Sequence, residues 1–143
     1  MDDPIPMKDG QTVQMVVDKV ADKLGMQMSA DLDDTALKDL FFIKRDDLQE
    51  YAGKISMEPD NMDHIVALRA NPGKVQKAVK GLKRRLEDVQ NSFSQYQTEQ
   101  NELVLQGQVV EKGNYIFLII LSDESTAMEE EIMEILEIIE DAF

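Results

Sequence analysis

A few groups of residues in this sequence have the types that chemistry uses. The run Asp31-Leu32-Asp33-Asp34 offers oxygen ligands, as a calcium loop would at its start. A helix-loop-helix calcium site needs acids at alternate positions, a glycine at the sixth place and a glutamate at the twelfth. Thr35, Ala36 and Phe42 hold the fifth, sixth and twelfth places here, so the acids are read as helix caps and solvated side chains. Glu129, Glu130 and Glu131 are consecutive. On a helix such residues diverge and cannot converge on one ion, whereas in a first helical turn they complement the positive end of the dipole. His64, the single histidine, would need a nucleophile and an orienting carboxylate to act as a base. Asp63, next to it on a strand, points to the opposite face, so His64 is read as structural. The nine methionines are dispersed and read as core filler. There is no cysteine, which removes thiol catalysis, cysteine-ligated zinc and disulfides. The expectation is no catalytic residue, no metal and no cofactor.

Lys74, Lys77, Lys80, Lys83 and Arg84 form the remaining group, stepping three and four residues along one helix. Such a stripe suits an anionic cell-wall polymer or anionic lipid headgroups. It equally suits internal complementarity with Glu130, Glu134, Glu137 and Asp141 of the last helix, if the two helices lie side by side. Solvated charged faces are the default, so internal complementarity is the expected reading and an outward contact is the most specific function the stripe allows.

The charge around this stripe is uneven. Of a net −14, residues 1–63 hold 15 acids and 7 bases, residues 64–100 hold 3 acids and 7 bases, and residues 101–143 hold 11 acids and 1 base. The molecule as a whole repels a polyanion, so nucleic acid is excluded as a partner. No stretch approaches the ~20 apolar residues that span a bilayer. The opening Met1-Asp2-Asp3-Pro4-Ile5-Pro6 lacks the basic and apolar regions of a signal peptide. Either the protein is cytoplasmic or this chain begins after a signal.

The elements that must position these residues follow from periodicity. Residues 1–10 read as an irregular leader and 11–143 as one α+β domain. Val13, Val16, Val17, Val20 and Leu24 have helical spacing, with Gly25 placed to end the helix. Asp33 or Asp34 can cap a short helix through Leu37 and Leu40, and Lys44–Asp47 turns the chain. Tyr51–Met57 and His64–Arg69 read as a hairpin about Pro59-Asp60-Asn61. Asn71 can cap the longest helix, with Pro72 at its first position. That helix has the apolar stripe Val75, Ala78, Val79, Leu82, Leu86, Val89, Phe93 and Tyr96. Leu103–Val110 and Tyr115–Leu121 read as strands joined at Gly113-Asn114. The second of them is apolar on both faces and therefore central. Thr126 and Glu129 have capping-box spacing for a last helix, whose stripe is Met128, Ile132, Ile135, Leu136, Ile139 and Phe143. The order αα-ββα-ββα predicts a two-layer fold: a four-stranded, mainly antiparallel sheet with the two long helices on one face. The N-terminal helix would cover part of the other face.

Several of these residues carry a likeness. Lys83-Arg84-Arg85, Phe93, Tyr96, Gln100, Val109-Val110 and Gly113-Asn114-Tyr115 resemble the pattern of a family of small Gram-positive bacterial lipoproteins, filed as domain of unknown function 4358. The family pattern has an arginine about three helical turns before a tyrosine, then a strand, then a Gly-Asn-Tyr turn into an apolar strand. Arg85 and Tyr96 match that separation, and Phe93 lies between them. The likeness runs from about Val13 to Ile139. Gln97-Thr98-Glu99 stands where members often carry a proline. The resemblance implies an extracytoplasmic, membrane-anchored lipoprotein of the cell envelope, with signal and lipidated cysteine outside this chain, and it implies no activity. Arg85, Phe93, Tyr96, Gly113, Asn114 and Tyr115 are expected to be structural.

The functional expectation is a non-catalytic binding or interaction module of the bacterial cell envelope, its partner an envelope protein, a cell-wall polymer or lipid headgroups. The alternative is a cytoplasmic structural or regulatory protein acting as a homodimer or higher oligomer. Its motives are the doubly apolar strand and the extra apolar residues Met133 and Ile138 on the last helix.

Overall fold

The computed structural model describes residues 6–26, 28–57, 62–96, 104–123 and 128–143. The chain runs α1 (Val13–Leu24), β1 (Ser29–Asp31), α2 (Asp34–Phe41), a 3-10 turn (Arg45–Asp47), β2 (Leu48–Ser56), β3 (His64–Ala70), α3 (Val75–Tyr96), β4 (Val104–Lys112), β5 (Tyr115–Asp123) and α4 (Met128–Asp141). All strand pairs are antiparallel, in the order β1-β2-β3-β5-β4.

The sheet therefore has five strands where periodicity predicts four. The added strand is β1, which pairs Ser29 with Ser56 and Asp31 with Lys54. Three residues, Ser-Ala-Asp, are too short and too polar to show a period of two. β2 also starts earlier than the alternation suggests, because the register shifts between Leu48 and Glu50 and breaks the pattern there.

The second correction concerns layers. α3 and α4 do not share a face. Val66, Leu68, Ala70, Ile116, Leu118 and Ile120 point to one side of the sheet, where Leu37 and Phe41 of α2 and Val75, Ala78, Val79, Leu82 and Val89 of α3 cover them. Ile65, Ala67, Phe117, Ile119 and Leu121 point to the other, beneath Val13, Val16, Val17 and Val20 of α1 and Ile135 and Ile139 of α4. Burying side chains of this size contributes roughly 1.5–3 kcal/mol each. Two adjacent strands that are apolar on both faces need cover on both, and α1 alone is too short to supply the second. A three-layer arrangement satisfies them. The doubly apolar β5 is thus accounted for inside one chain and gives no reason for a second copy.

The helix ends largely follow the residues placed there. Thr12 caps α1 by accepting from the Met15 amide at 3.2 Å, and Gly25 ends it at φ 66°. Asp33, not Asp34, caps α2, accepting from the Ala36 amide at 2.8 Å. α3 departs from expectation. Asn71-Pro72-Gly73-Lys74 is a turn closed by the Lys74 amide on the Asn71 carbonyl, with Gly73 at φ 80°. The helix starts only at Val75, and the Asn71 side chain donates instead to the Asp46 carbonyl at 2.7 Å. Thr126 and the hairpin turn at Pro59-Asp60-Asn61 lie outside the described residues. So do the side chains of Phe93 and Tyr96, whose backbone belongs to α3.

Candidate functional site

The acidic groups separate into unrelated jobs. Asp31 pairs with Lys54 at 3.6 Å, Asp33 is the α2 cap, and Asp34 accepts from the Tyr51 hydroxyl and lies 3.9 Å from the Arg45 guanidinium. Burial, with Asp34 next, pushes the Tyr51 hydroxyl up to about 12. Glu129 and Glu130 are exposed in the first turn of α4. Glu131 lines a polar hollow of about 400 Å³ with Lys23, Asp63, Ser122 and Glu134. Lys23 is already paired with Glu134 there, and Asp63 accepts from the Ser122 amide at 2.9 Å.

His64 faces α3, opposite to Asp63, and is 2% exposed. Its Nδ1 lies 2.8 Å from the Met62 carbonyl, so Nδ1 carries the proton and donates. Nε2 is left as an acceptor and receives the Arg85 Nε–H at 3.2 Å. Burial, and then the Arg85 charge, hold the imidazole down to about 4. Arg85, half-buried, also lies over the Phe41 ring at 5.9 Å. Sequence reasoning marks Arg85 by resemblance but gives no signal that His64 is its partner. Three of the other marked residues lie together at the turn between β4 and β5. Gly113 turns at φ 60°, Asn114 donates to the Ala70 carbonyl at 3.1 Å, and Tyr115 sits edge-on to Phe143.

The basic stripe is where the layers matter. α4 lies on the opposite side of the sheet from α3, and its acids pair elsewhere: Glu134 with Lys23 and Glu140 with Lys112. Internal complementarity between the two helices is thereby overturned. Lys74 reaches Asp47 at 3.9 Å. Lys77, Lys80 and Lys83 are exposed and form no ion pair among the described residues.

A residue that the spacing does not single out organises this face. α2 ends with Phe42 in the left-handed region, at φ 57° and ψ 35°. The Ile43 amide bonds to the Leu37 carbonyl at 3.0 Å, and Ile43 is buried. This helix-ending geometry normally recruits glycine, as Gly25 does for α1. A bulky residue there is a genuine outlier. Phe42 is 57% exposed, and the Arg84 guanidinium carbon lies over its ring, 4.0 Å from the centroid. Gly81 permits the approach: a Cβ on it would lie 2.6 Å from Ile43 Cγ1 and from the Phe41 carbonyl oxygen. Between Phe42 and α3 lies a hollow of about 290 Å³, lined by Ile43, Lys44, Asp47, Lys77, Lys80, Gly81 and Arg84. A neighbouring hollow of about 530 Å³ lies beyond the same ring, toward Asp34, Lys38, Arg45 and Asp46. Lys83 lines neither. The Phe41-Phe42 pair followed by Lys44-Arg45 is the signal that could have found the site, since an apolar pair straddling a helix end must expose one member.

The family model described as Domain of unknown function (DUF4358) matches residues 22–121. The chain belongs to this family. The match takes in α2, the 3-10 turn, the whole of α3 and the Gly113-Asn114-Tyr115 turn, and so contains every residue of the basic hollow. No curated protein and no solved structure gives a significant match. No helix among the described residues is long and apolar enough to cross a membrane.

Proposed function

We propose that this DUF4358 member is a non-catalytic binding module of the bacterial cell envelope that meets anionic groups through the basic face of α3. The observation that carries this reading is the position of α4 across the sheet, which leaves Lys77, Lys80 and Arg84 exposed beside Lys44 with no ion pair among the described residues. A protein with net charge −14 gains no general attraction for anions, so a basic patch kept free within it is a local device. Both His64 nitrogens are engaged within the fold, which argues against a role for this histidine as a general base. The extracytoplasmic, lipid-anchored location rests on the family likeness alone, and reading the codons upstream of Met1 for a signal and a cysteine tests it.

Retention on immobilised polyphosphate at low salt tests the binding itself. Wild type is expected to be retained and to elute as salt rises, while Lys77→Glu/Lys80→Glu passes through. Equal behaviour of the two proteins would remove α3 as the binding face.

A further inference from the structure

Resting on that reading, we infer that the hollow between Phe42 and α3 is a receptor for a phosphate ester, with the anion among Lys44, Lys77, Lys80 and Arg84 and the ester's carbon portion against Phe42. Charge comes first. Four cations and one carboxylate line the hollow, and that carboxylate, Asp47, is already paired with Lys74. The lining is therefore well in excess of what a single carboxylate would balance, and it suits a group that gathers several negative oxygens on one atom. The Arg84 guanidinium carbon lies 4.0 Å from the ring centroid, and a guanidinium is a planar fork of N–H donors that can grip two oxygens together. The lysines supply movable point charges on the remaining oxygens.

The second argument is Phe42 itself. A left-handed helix end asks for glycine, and a phenylalanine there costs backbone strain. The residue does not repay that strain by burial, since it is 57% exposed. Its one described ring partner is Arg84. An aromatic held outward at such a position, stacked on a cation and forming the wall of a basic hollow, serves a ligand with both a charge and a carbon body. The volume, about 290 Å³, is close to the lower bound of small-molecule clefts, about 300 Å³. The molecule's overall negative charge disfavours a long polyanion wrapped around it and favours one compact group entering from this side.

Calorimetric titration of the full chain with phenyl phosphate, inorganic phosphate and benzoate tests the assignment, with flotation on phosphatidylglycerol or phosphatidylcholine vesicles beside it. Phenyl phosphate is expected to bind about tenfold more tightly than benzoate or inorganic phosphate. Phe42→Gly, which suits the left-handed backbone and so preserves the fold, should bring phenyl phosphate down to the level of inorganic phosphate. Lys80→Glu should abolish both, and Lys83→Glu, outside the hollow, should weaken binding less than about threefold. Flotation on phosphatidylglycerol alone, lost in Phe42→Gly, assigns the ester to a lipid headgroup. Soluble binding without flotation assigns it to a free ester. Benzoate binding as tightly as phenyl phosphate, or Lys83→Glu as damaging as Lys80→Glu, overturns the hollow while leaving the basic face intact. Absence of binding to every anionic probe at low salt overturns both.

Discussion

The His64–Arg85 pair shows how a charged group is accommodated at the edge of the α3 core. Arg85 cannot give up its proton, so its neighbour must stay neutral and present a lone pair, which the Met62 carbonyl enforces by fixing the proton on Nδ1. The pH consequence has a definite sign. The folded imidazole titrates near 4, below its ordinary 6.5, so in that interval the unfolded chain binds the extra proton. Its contribution is fully present above about pH 6.5 and is lost progressively as pH falls toward 4, by an amount of order 3 kcal/mol. Urea unfolding of wild type and His64→Gln across this range should show the wild-type curve falling more steeply with acid. Parallel curves would mean that His64 is not buried neutral. At this scale the sequence carries only part of the information. One lone histidine reads as structural, and Asp63 reads correctly as facing away from it, but no local pattern joins position 64 to position 85. They meet because α3 crosses over β3.

Among the elements, the junction of α2 with α3 governs the hollow. At Gly81 the helix backbone closely approaches the end of α2, and the obstacle to a Cβ is partly the Phe41 carbonyl, which cannot rotate away as a side chain would. Gly81→Ala gains up to about 1 kcal/mol of helix propensity, against an overpacking cost of about 1–3 kcal/mol. We expect net destabilisation in denaturant melts, with separation of Arg84 from the Phe42 ring visible as a change in the ring's NMR shifts. A gain in stability would show that the two helices are free to part. The elements themselves are well announced in the sequence wherever a period runs long enough, as in α1, α3 and β5. They are missed where three polar residues suffice, as in β1, or misplaced where side-chain chemistry has two outlets. Asn71 is such a case. It has the right type for a cap, but it bonds to Asp46 because the 3-10 turn lies within its reach.

Among the described residues the sheet carries α4, with seven acids and no base, on one side and the net-basic α3 on the other. The molecule's net charge of −14 is self-repelling, and salt screens that repulsion and the attraction at the basic face alike. Raising ionic strength from about 10 mM to 150 mM should therefore raise the melting temperature by about 2–5 °C while weakening retention on polyphosphate. Thermal melts and column elution at matched salt check the pair of signs. Loss of both together would tie retention to fold stability instead of to charge. The segregation of charge along the chain is legible in the sequence. Its meaning in space is not, because a four-stranded count leaves the long helices on one face, where their charges would cancel.

Placing the net-basic α3 and the acidic α4 on opposite faces also sets a component of electric dipole across the thickness of the sheet. A body of this kind experiences a torque before it touches a charged object. Near an anionic surface it turns until Phe42 and its lysines lead and the glutamates of α4 trail. The leading side is then chosen by the long-range field during approach, and the hollow arrives already facing what it meets.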